Sequence, residues 1–396
     1  MLICRPTEVR HNLANLRMLA MLCAFVVPMG AQSALGVTFI NGLDVYSGDG
    51  SVNWTSVKNG GYAFAFVKCD EGVNSADAQF AANMSNANAA GVYIGPYHFA
   101  HTESLSPAGT VKFDNYTGGA FSPTASAQVN RDAYTDATLE AVDFITKIKP
   151  YYLQTGTTHY LPPVSDIEQA FMPNLTQSLK TQFVSNWAQL FSDTVFNALG
   201  VRPILYVSES SANANFTSAV AGQQPFWIAW YKGTGTTSPP VQSNTPNWPA
   251  WSFWQWSDGT DSTAMGNPVP GTTTNVDRDV FSGTSAQLAA MAVKLLAGDY
   301  NHDGVVDIKD YLVWRNSAGS TVLLAADGNN DGVVNASDYT YWRQRFGQSA
   351  GSGAGSGELT NGAVPEPTTA VLLFLTFVFG FSLRSRTKTC VPARDR

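Results

Sequence analysis

The sequence predicts an α/β fold: an irregular TIM-like (β/α) barrel followed by a small all-α calcium-binding unit. Three observations carry that reading. Short apolar runs alternate with helical stretches from Thr38 to about Phe281, about eight such runs fit into roughly 240 residues, and an acidic loop recurs twice beyond residue 298. At 396 residues the chain has length for two or three domains and one large core.

The candidate strands are Phe39–Val45, Ala63–Lys68, Val92–Phe99, Val164–Glu168, Pro203–Val207, Phe226–Tyr231 and Trp251–Trp256, with a last one near Asn275–Val276. Each is a β-type apolar run bounded by turn residues. Helices are expected between them. Ser75–Ala90 ends at Gly91, a C-cap glycine, and Asp132–Ile148 stops before Pro150. Leu175–Leu199 carries Leu175, Leu179, Phe183, Trp187, Leu190 and Phe191 at helical spacing and ends before Gly200. Alternation of this kind implies a parallel sheet. No good helix follows the sixth strand, so the ring is expected to be irregular there.

Charged residues make up 13% of the chain and hydrophobic ones 44%, with 10 Trp, 15 Tyr and 22 Phe. That is a globular composition, not a disordered one. A net charge of −7 argues against nucleic acid as a partner and leaves neutral polymers open. Residues 1–34 read as an export signal: Arg5, Arg10 and Arg17 precede the apolar run Met18–Pro28, and small residues follow. Removal of that segment leaves Cys69 alone in the globular part, either a reactive thiol or a buried small hydrophobe, with no disulfide framework.

Barrel enzymes gather their active groups at the C-terminal ends of strands. Asp44, Glu71, His98, Asp166, Glu168 and Asp277 fall at or near such ends. Asp166 and Glu168 are spaced i, i+2 on one strand, so they share a face, about 6 to 7 Å apart. Carboxylates that close do not ionise independently, and one holds a proton to higher pH. A proton-holding acid beside an ionised partner suits glycosidic bond cleavage. The other reading is a strand end with two solvated acids.

The ordered set Gly42-Leu43-Asp44-Val45, Phe64-Ala65-Phe66-Val67-Lys68, Glu71-Gly72, Tyr97-His98-Phe99, Asp166-Ile167-Glu168, Trp227-Ile228-Ala229, Trp254-Gln255-Trp256-Ser257 and Val276-Asp277 resembles glycoside hydrolase family 25, over residues 38–282. The resemblance implies an irregular (β/α) barrel and a retaining muramidase, cleaving the β-1,4 bond after N-acetylmuramic acid in peptidoglycan without a catalytic cofactor. It makes Glu168 the general acid, gives Asp166 the stabilising of the transition state or a substrate-derived intermediate, and places Asp44 and Asp277 in the same site. Tyr97, Tyr206, Trp230 and Trp254 are candidate sugar-stacking residues, with core packing the alternative for each. The chain departs from the family's D-V-S-x-x-Q-G pattern, with Tyr46 in place of Ser and Asp49 in place of Gln. The long segment 101–160 is a candidate lid. Rival readings are a non-catalytic glycan-binding surface module and an enzyme acting on chitin-like chains.

The second unit, residues 298–347, holds two copies of one loop 28 residues apart. Asp299, Asn301, Asp303, Asp307 and Asp310, with the Val305 carbonyl, form the first ligand set. Asp327, Asn329, Asp331, Asn335 and Asp338, with the Val333 carbonyl, form the second. Oxygen ligands at these spacings, with glycine at the sixth position, suit Ca²⁺. The pair resembles a type I dockerin, which implies a cohesin-like partner; a purely structural module is the alternative. A core this small usually needs a staple, so chelation is expected to unfold the pair while the barrel keeps its fold. Residues 348–363 read as a Gly/Ser linker. Residues 364–396 resemble a PEP-CTERM sorting tail, which implies exosortase processing and transient membrane contact at the cell surface; a permanent anchor is the other reading.

Overall fold

The computed structural model describes residues 39–101, 126–168, 176–260 and 268–350. The expectations for residues 1–34 and 364–396, for residues 351–363 of the linker, and for residues 102–125 of the candidate lid lie outside the described residues.

Eight strands close a barrel in chain order: β1 (Ile40–Val45), β2 (Phe64–Glu71), β3 (Tyr93–Phe99), β4 (Val164–Asp166), β5 (Ile204–Ser208), β6 (Phe226–Ala229), β7 (Phe253–Ser257) and β8 (Asp277–Phe281). Around them stand helices α1 (Trp54–Asn59), α2 (Phe80–Ala90), α3 (Ser126–Tyr152), α4 (Gln177–Leu199), α5 (Glu209–Asn215), α6 (Ser218–Ala221) and α7 (Ser285–Ala290). Gly91 and Gly200 cap α2 and α4 at φ 74° and 66°, a left-handed geometry that costs glycine nothing. Two short 3₁₀ turns replace a helix between β6 and β7, which is the irregularity the sequence foretold.

Two expectations fail. The sheet is not wholly parallel, because β8 runs antiparallel to both β7 and β1. Without a crossover helix after β7 the chain returns in the opposite direction. That reversal brings the first residue of β8, Asp277, to the barrel end where the other strands finish, paired with Asp44. The second concerns α3, which continues through Pro150 to Tyr152. Proline has no N–H to offer the carbonyl four residues back, Thr146. That oxygen accepts a 2.6 Å hydrogen bond from Asn330 Nδ2 of the repeat pair instead.

Strand alternation sorts the side chains into two cores. Phe64, Phe66, Val164, Ile204, Trp227, Phe253 and Phe281 fill the barrel interior. Leu43, Ala65, Val67, Cys69, Ile94, Leu205, Ile228, Trp254 and Val280 face the helices. Cys69 is fully buried there, and burial pushes its thiol up, so it is the small hydrophobe and not a reactive thiol.

The repeat pair adds α8 (Ile308–Ser317) and α9 (Ala336–Arg343) around Tyr300, Val306, Ala326, Val334 and Trp342. It belongs to the same compact unit as the barrel. Leu324 enters the outer barrel core. The buried Lys149 of α3 donates to the carbonyls of Leu324 and Asp327 at 2.9 and 2.6 Å. The unit is therefore joined to α3 by hydrogen bonds from Lys149 and to Thr146.

Candidate active site and calcium loops

Inward alternation builds the site. From β1 to β8 the inward positions at one barrel end are Asp44, Lys68, Tyr97, Asp166, Tyr206, Trp227, Gln255 and Asp277. With Tyr46, Asp49, Phe99 and Glu168 they line a cleft of about 240 Å³. The four sequence-expected acids thus converge on one cleft.

Their electrostatics is that of acids short of donors. Asp166 is 5% exposed, and its Oδ1 has no hydrogen-bond partner. Burial drives its pKa far above the carboxylate range, with the charges of Glu168 and Asp44 adding to the effect. Glu168 stands open in the cleft, and desolvation raises its pKa against the opposing pull of Tyr206 and Lys68. Asp277 is pushed up to about 9 by desolvation and by Asp44. Asp44 is raised by burial and by the charge of Asp279 beside it, and Asp279 is itself raised by burial.

Two residues of the site were not singled out from sequence. Gln255 is its hub: Nε2 donates to Asp44 Oδ2 at 2.7 Å and Asp277 Oδ2 at 3.1 Å, while Oε1 accepts from the hydroxyls of Tyr206, at 2.6 Å, and Tyr231. Asp279 lies beneath Asp44, fully buried, and accepts from Trp227 Nε1 at 2.9 Å. The signal that could have found both is the strand period, since Gln255 sits two residues from the inward Phe253 and Asp279 two from Asp277.

The same period corrects two expectations. Trp230 and Trp254 do not line the cleft. Both fall on the outward face: Trp254 is fully buried against Phe39 and Trp251, and Trp230 carries Lys232 Nζ 3.7 Å over its ring. Tyr97 and Tyr206 do line it, though only 9% and 5% exposed. His98 also points outward, clamped between Asp70 at 2.7 Å and Glu140 at 2.6 Å; the two carboxylates outweigh burial and raise it to about 9. Glu71 holds Lys68 at 2.7 Å and His101 at 2.8 Å, fixing the cation that lines the cleft.

In the repeat pair the two loops share one pattern of carboxylate–amide bonds. Asp299 accepts from the N–H groups of Asp303 and Gly304, as Asp327 does from Asp331 and Gly332. Asp310 gathers the N–H groups of Tyr300, Asn301 and Asp307, and Asp338 those of Gly328, Asn329 and Asn335. In the second loop, carboxylate oxygens of Asp327, Asp331 and Asp338 lie within 4.8 Å of one another. That is the span a Ca²⁺ bridges with bonds of about 2.3 to 2.6 Å, so this donor set fits the ion. The first loop also carries a cation: Lys309 Nζ lies 2.8 Å from Asp303 Oδ2, where the second loop has Ser337.

A closed barrel with a carboxylate-lined cleft at the strand ends suits glycoside hydrolysis. The model of Glycosyl hydrolases family 25 matches residues 43–116 and 106–264, and the chain belongs to that family. Residues 297–346 match the Dockerin type I domain, a class that typically binds calcium. The chain is similar to Lysozyme M1 of Streptomyces globisporus, 31% identical over 256 residues that span 64% of this chain and 71% of that protein. It is also similar to an autolytic lysozyme of Clostridium acetobutylicum, 30% identical over 79 residues, or 20% of this chain and 24% of that protein. Among solved structures, a lysozyme from Streptomyces coelicolor matches 65% of this chain and 98% of its own, at 26% identity and a TM-score of 0.46.

Proposed function

We propose that the protein is a peptidoglycan muramidase, with Glu168 as the general acid that protonates the glycosidic oxygen leaving the anomeric carbon. The observation that carries the reading is the pair Asp166 and Glu168, both inward from one strand end onto the cleft and both with raised pKa values. A raised Glu168 keeps its proton to higher pH, as a general acid requires. Asp166, buried and short of donors, is poorly stabilised as an anion until a positive charge develops beside it. The oxocarbenium-like transition state supplies that charge, so Asp166 stabilises it more than the ground state. Asp44 and Asp277, tied through Gln255, hold the sugar and fix the opposite wall.

Two Ca²⁺ ions would be held by Asp299, Asn301, Asp303, Asp307 and Asp310 with the Val305 carbonyl, and by Asp327, Asn329, Asp331, Asn335 and Asp338 with the Val333 carbonyl. They supply loop order, not chemistry. The dockerin domain supports a cohesin-like partner. The basic, apolar and small-residue order of residues 1–34 supports export, and the tail at 364–396 supports exosortase processing after brief membrane contact.

The test is digestion of purified peptidoglycan, borohydride reduction and mass analysis of the released ends. Muramitol ends are expected. Glucosaminitol ends would replace the reading with a glucosaminidase, and cleavage of chitin chains alone would replace the polymer.

A further inference from the structure

We propose that Tyr46 is a sugar-stacking platform at the rim of the cleft, a specificity-determining residue that takes one pyranose ring of the glycan beyond the bond that is broken. The inference rests on the glycan reading of the cleft. Tyr46 lines that cleft and is 49% exposed. Its aromatic neighbours there are less open. Trp227 is 2% exposed and packs on Phe66 and Tyr206, each with ring centroids 4.4 Å away. Phe99 has Lys68 Nζ 4.6 Å over its ring. Among the described residues no aromatic or cationic group packs on the Tyr46 ring. A pyranose face carries C–H groups that suit such an uncovered π-surface.

The ring is held in place by a short turn. Asp49 Oδ2 accepts from Tyr46 N at 3.0 Å, and Asp49 N donates back to Tyr46 O at 3.1 Å. Ser47 N is tied to Asp77 Oδ2 at 2.8 Å, and Thr273 Oγ1 donates to Asp49 O at 3.2 Å. The Tyr46 ring then folds down over Gly48. A Cβ at Gly48 would lie 2.3 Å from Tyr46 Cζ, so the pose exists only because position 48 has no side chain. Gly48 itself lies outside the left-handed region, so alanine there is strained by the ring and not by the backbone. Serine and glutamine stand at positions 46 and 49 in the family pattern, so the platform and its lock are both departures from it. A preorganised ring takes a sugar with little loss of rotamer freedom.

The test compares Tyr46→Ala, Tyr46→Phe and Gly48→Ala with the parent protein on peptidoglycan, each checked for an unchanged melting curve. Tyr46→Ala is expected to raise KM about tenfold with kcat within about twofold, the size of one stacking contact. Tyr46→Phe should keep the parent KM. Gly48→Ala should raise KM with the tyrosine still present, because it displaces the ring. An unchanged KM in Tyr46→Ala, or in Gly48→Ala, overturns the platform. If the parent protein releases no ends at all, the muramidase reading fails, and binding of soluble peptidoglycan fragments still decides the platform. Binding about tenfold weaker in Tyr46→Ala sustains it, and equal binding overturns it.

Discussion

The molecule holds two clusters of acids whose charge is governed by different neighbours. In and beneath the cleft, Asp44, Asp166 and Asp279 are buried and Asp277 is half-buried, all with few N–H donors, and desolvation raises all four. In the repeat pair, burial also raises Asp310, Asp327 and Asp299, the last to about 6, but backbone N–H groups pull all three back. The exposed Asp303 and Asp331 fall below the usual carboxylate range, Asp303 mainly through Lys309 and Asp331 mainly through Asn329. The lesson is that the same residue type holds a proton or stands ready for a cation according to what donates to it. Strands aim carboxylates at one another, whereas a tight loop wraps its own amides around them.

Breaking the cleft side of that contrast should have the larger effect. Gln255→Leu keeps roughly the same volume but removes the amide that two acids and two tyrosines share. Loss of one preorganised donor typically costs on the order of 10² in turnover. The expected outcome is a fall of that size in kcat with a near-parent melting temperature. Steady-state kinetics beside a thermal melt check it, and parent-like kcat would make Gln255 a mere filler.

On the loop side, chelation should now reach the barrel. The proline-freed carbonyl of Thr146 and the buried Lys149 couple α3 to the second loop. A ligand at about a hundred times its Kd stabilises by about 2.7 kcal/mol, or several degrees for a domain of this size. Differential scanning calorimetry should therefore show the barrel transition falling by about 5 °C or more in excess chelator, and by less in Lys149→Met. A barrel transition indifferent to chelator would uphold the expectation that chelation leaves the barrel's fold intact.

The pH dependence of stability sharpens the contrast further. Asp277 rises from 3.8 to about 9 on folding, so its contribution is fully present below pH 4 and is lost as pH rises to about 9. His98 rises from 6.5 to about 9, so its contribution is full below pH 6.5 and disappears by pH 9. Both signs agree: the barrel should melt lower at pH 9 than at pH 6, and Asp277→Asn should flatten the decline. Melting curves in calcium-saturated buffers across that range decide it.

How much of this was legible in the sequence depends on distance along the chain. The acidic repeat was readable because each candidate ligand lies within one turn of the next, and the pair Asp166 and Glu168 because positions i and i+2 of one extended run share a face. Gln255 contacts Asp44 across 211 residues, and nothing local to either announces the bond. Trp230 and Trp254 misled because an indole near a strand end says nothing of which face it takes; register decides that, and one position separates Trp254 from Gln255. Pro150 misled for a different reason, since the partner that rescues its helix, Asn330, lies in another domain. The smallest expected effect on turnover follows from the register: Trp254→Phe should lower stability by about 1 to 3 kcal/mol and leave KM unchanged. A raised KM would return Trp254 to the substrate's path.

The central claim is that Glu168 delivers its proton to the leaving oxygen from a cleft whose other acids shape and hold the sugar. Glu168→Gln keeps the shape and removes the proton, so it tests that claim most directly. Turnover on peptidoglycan, followed by release of reducing ends, should fall by on the order of 10² to 10⁴ while binding of soluble fragments stays at the parent level. Parent-like turnover in Glu168→Gln would take the proton, and the mechanism with it, away from Glu168.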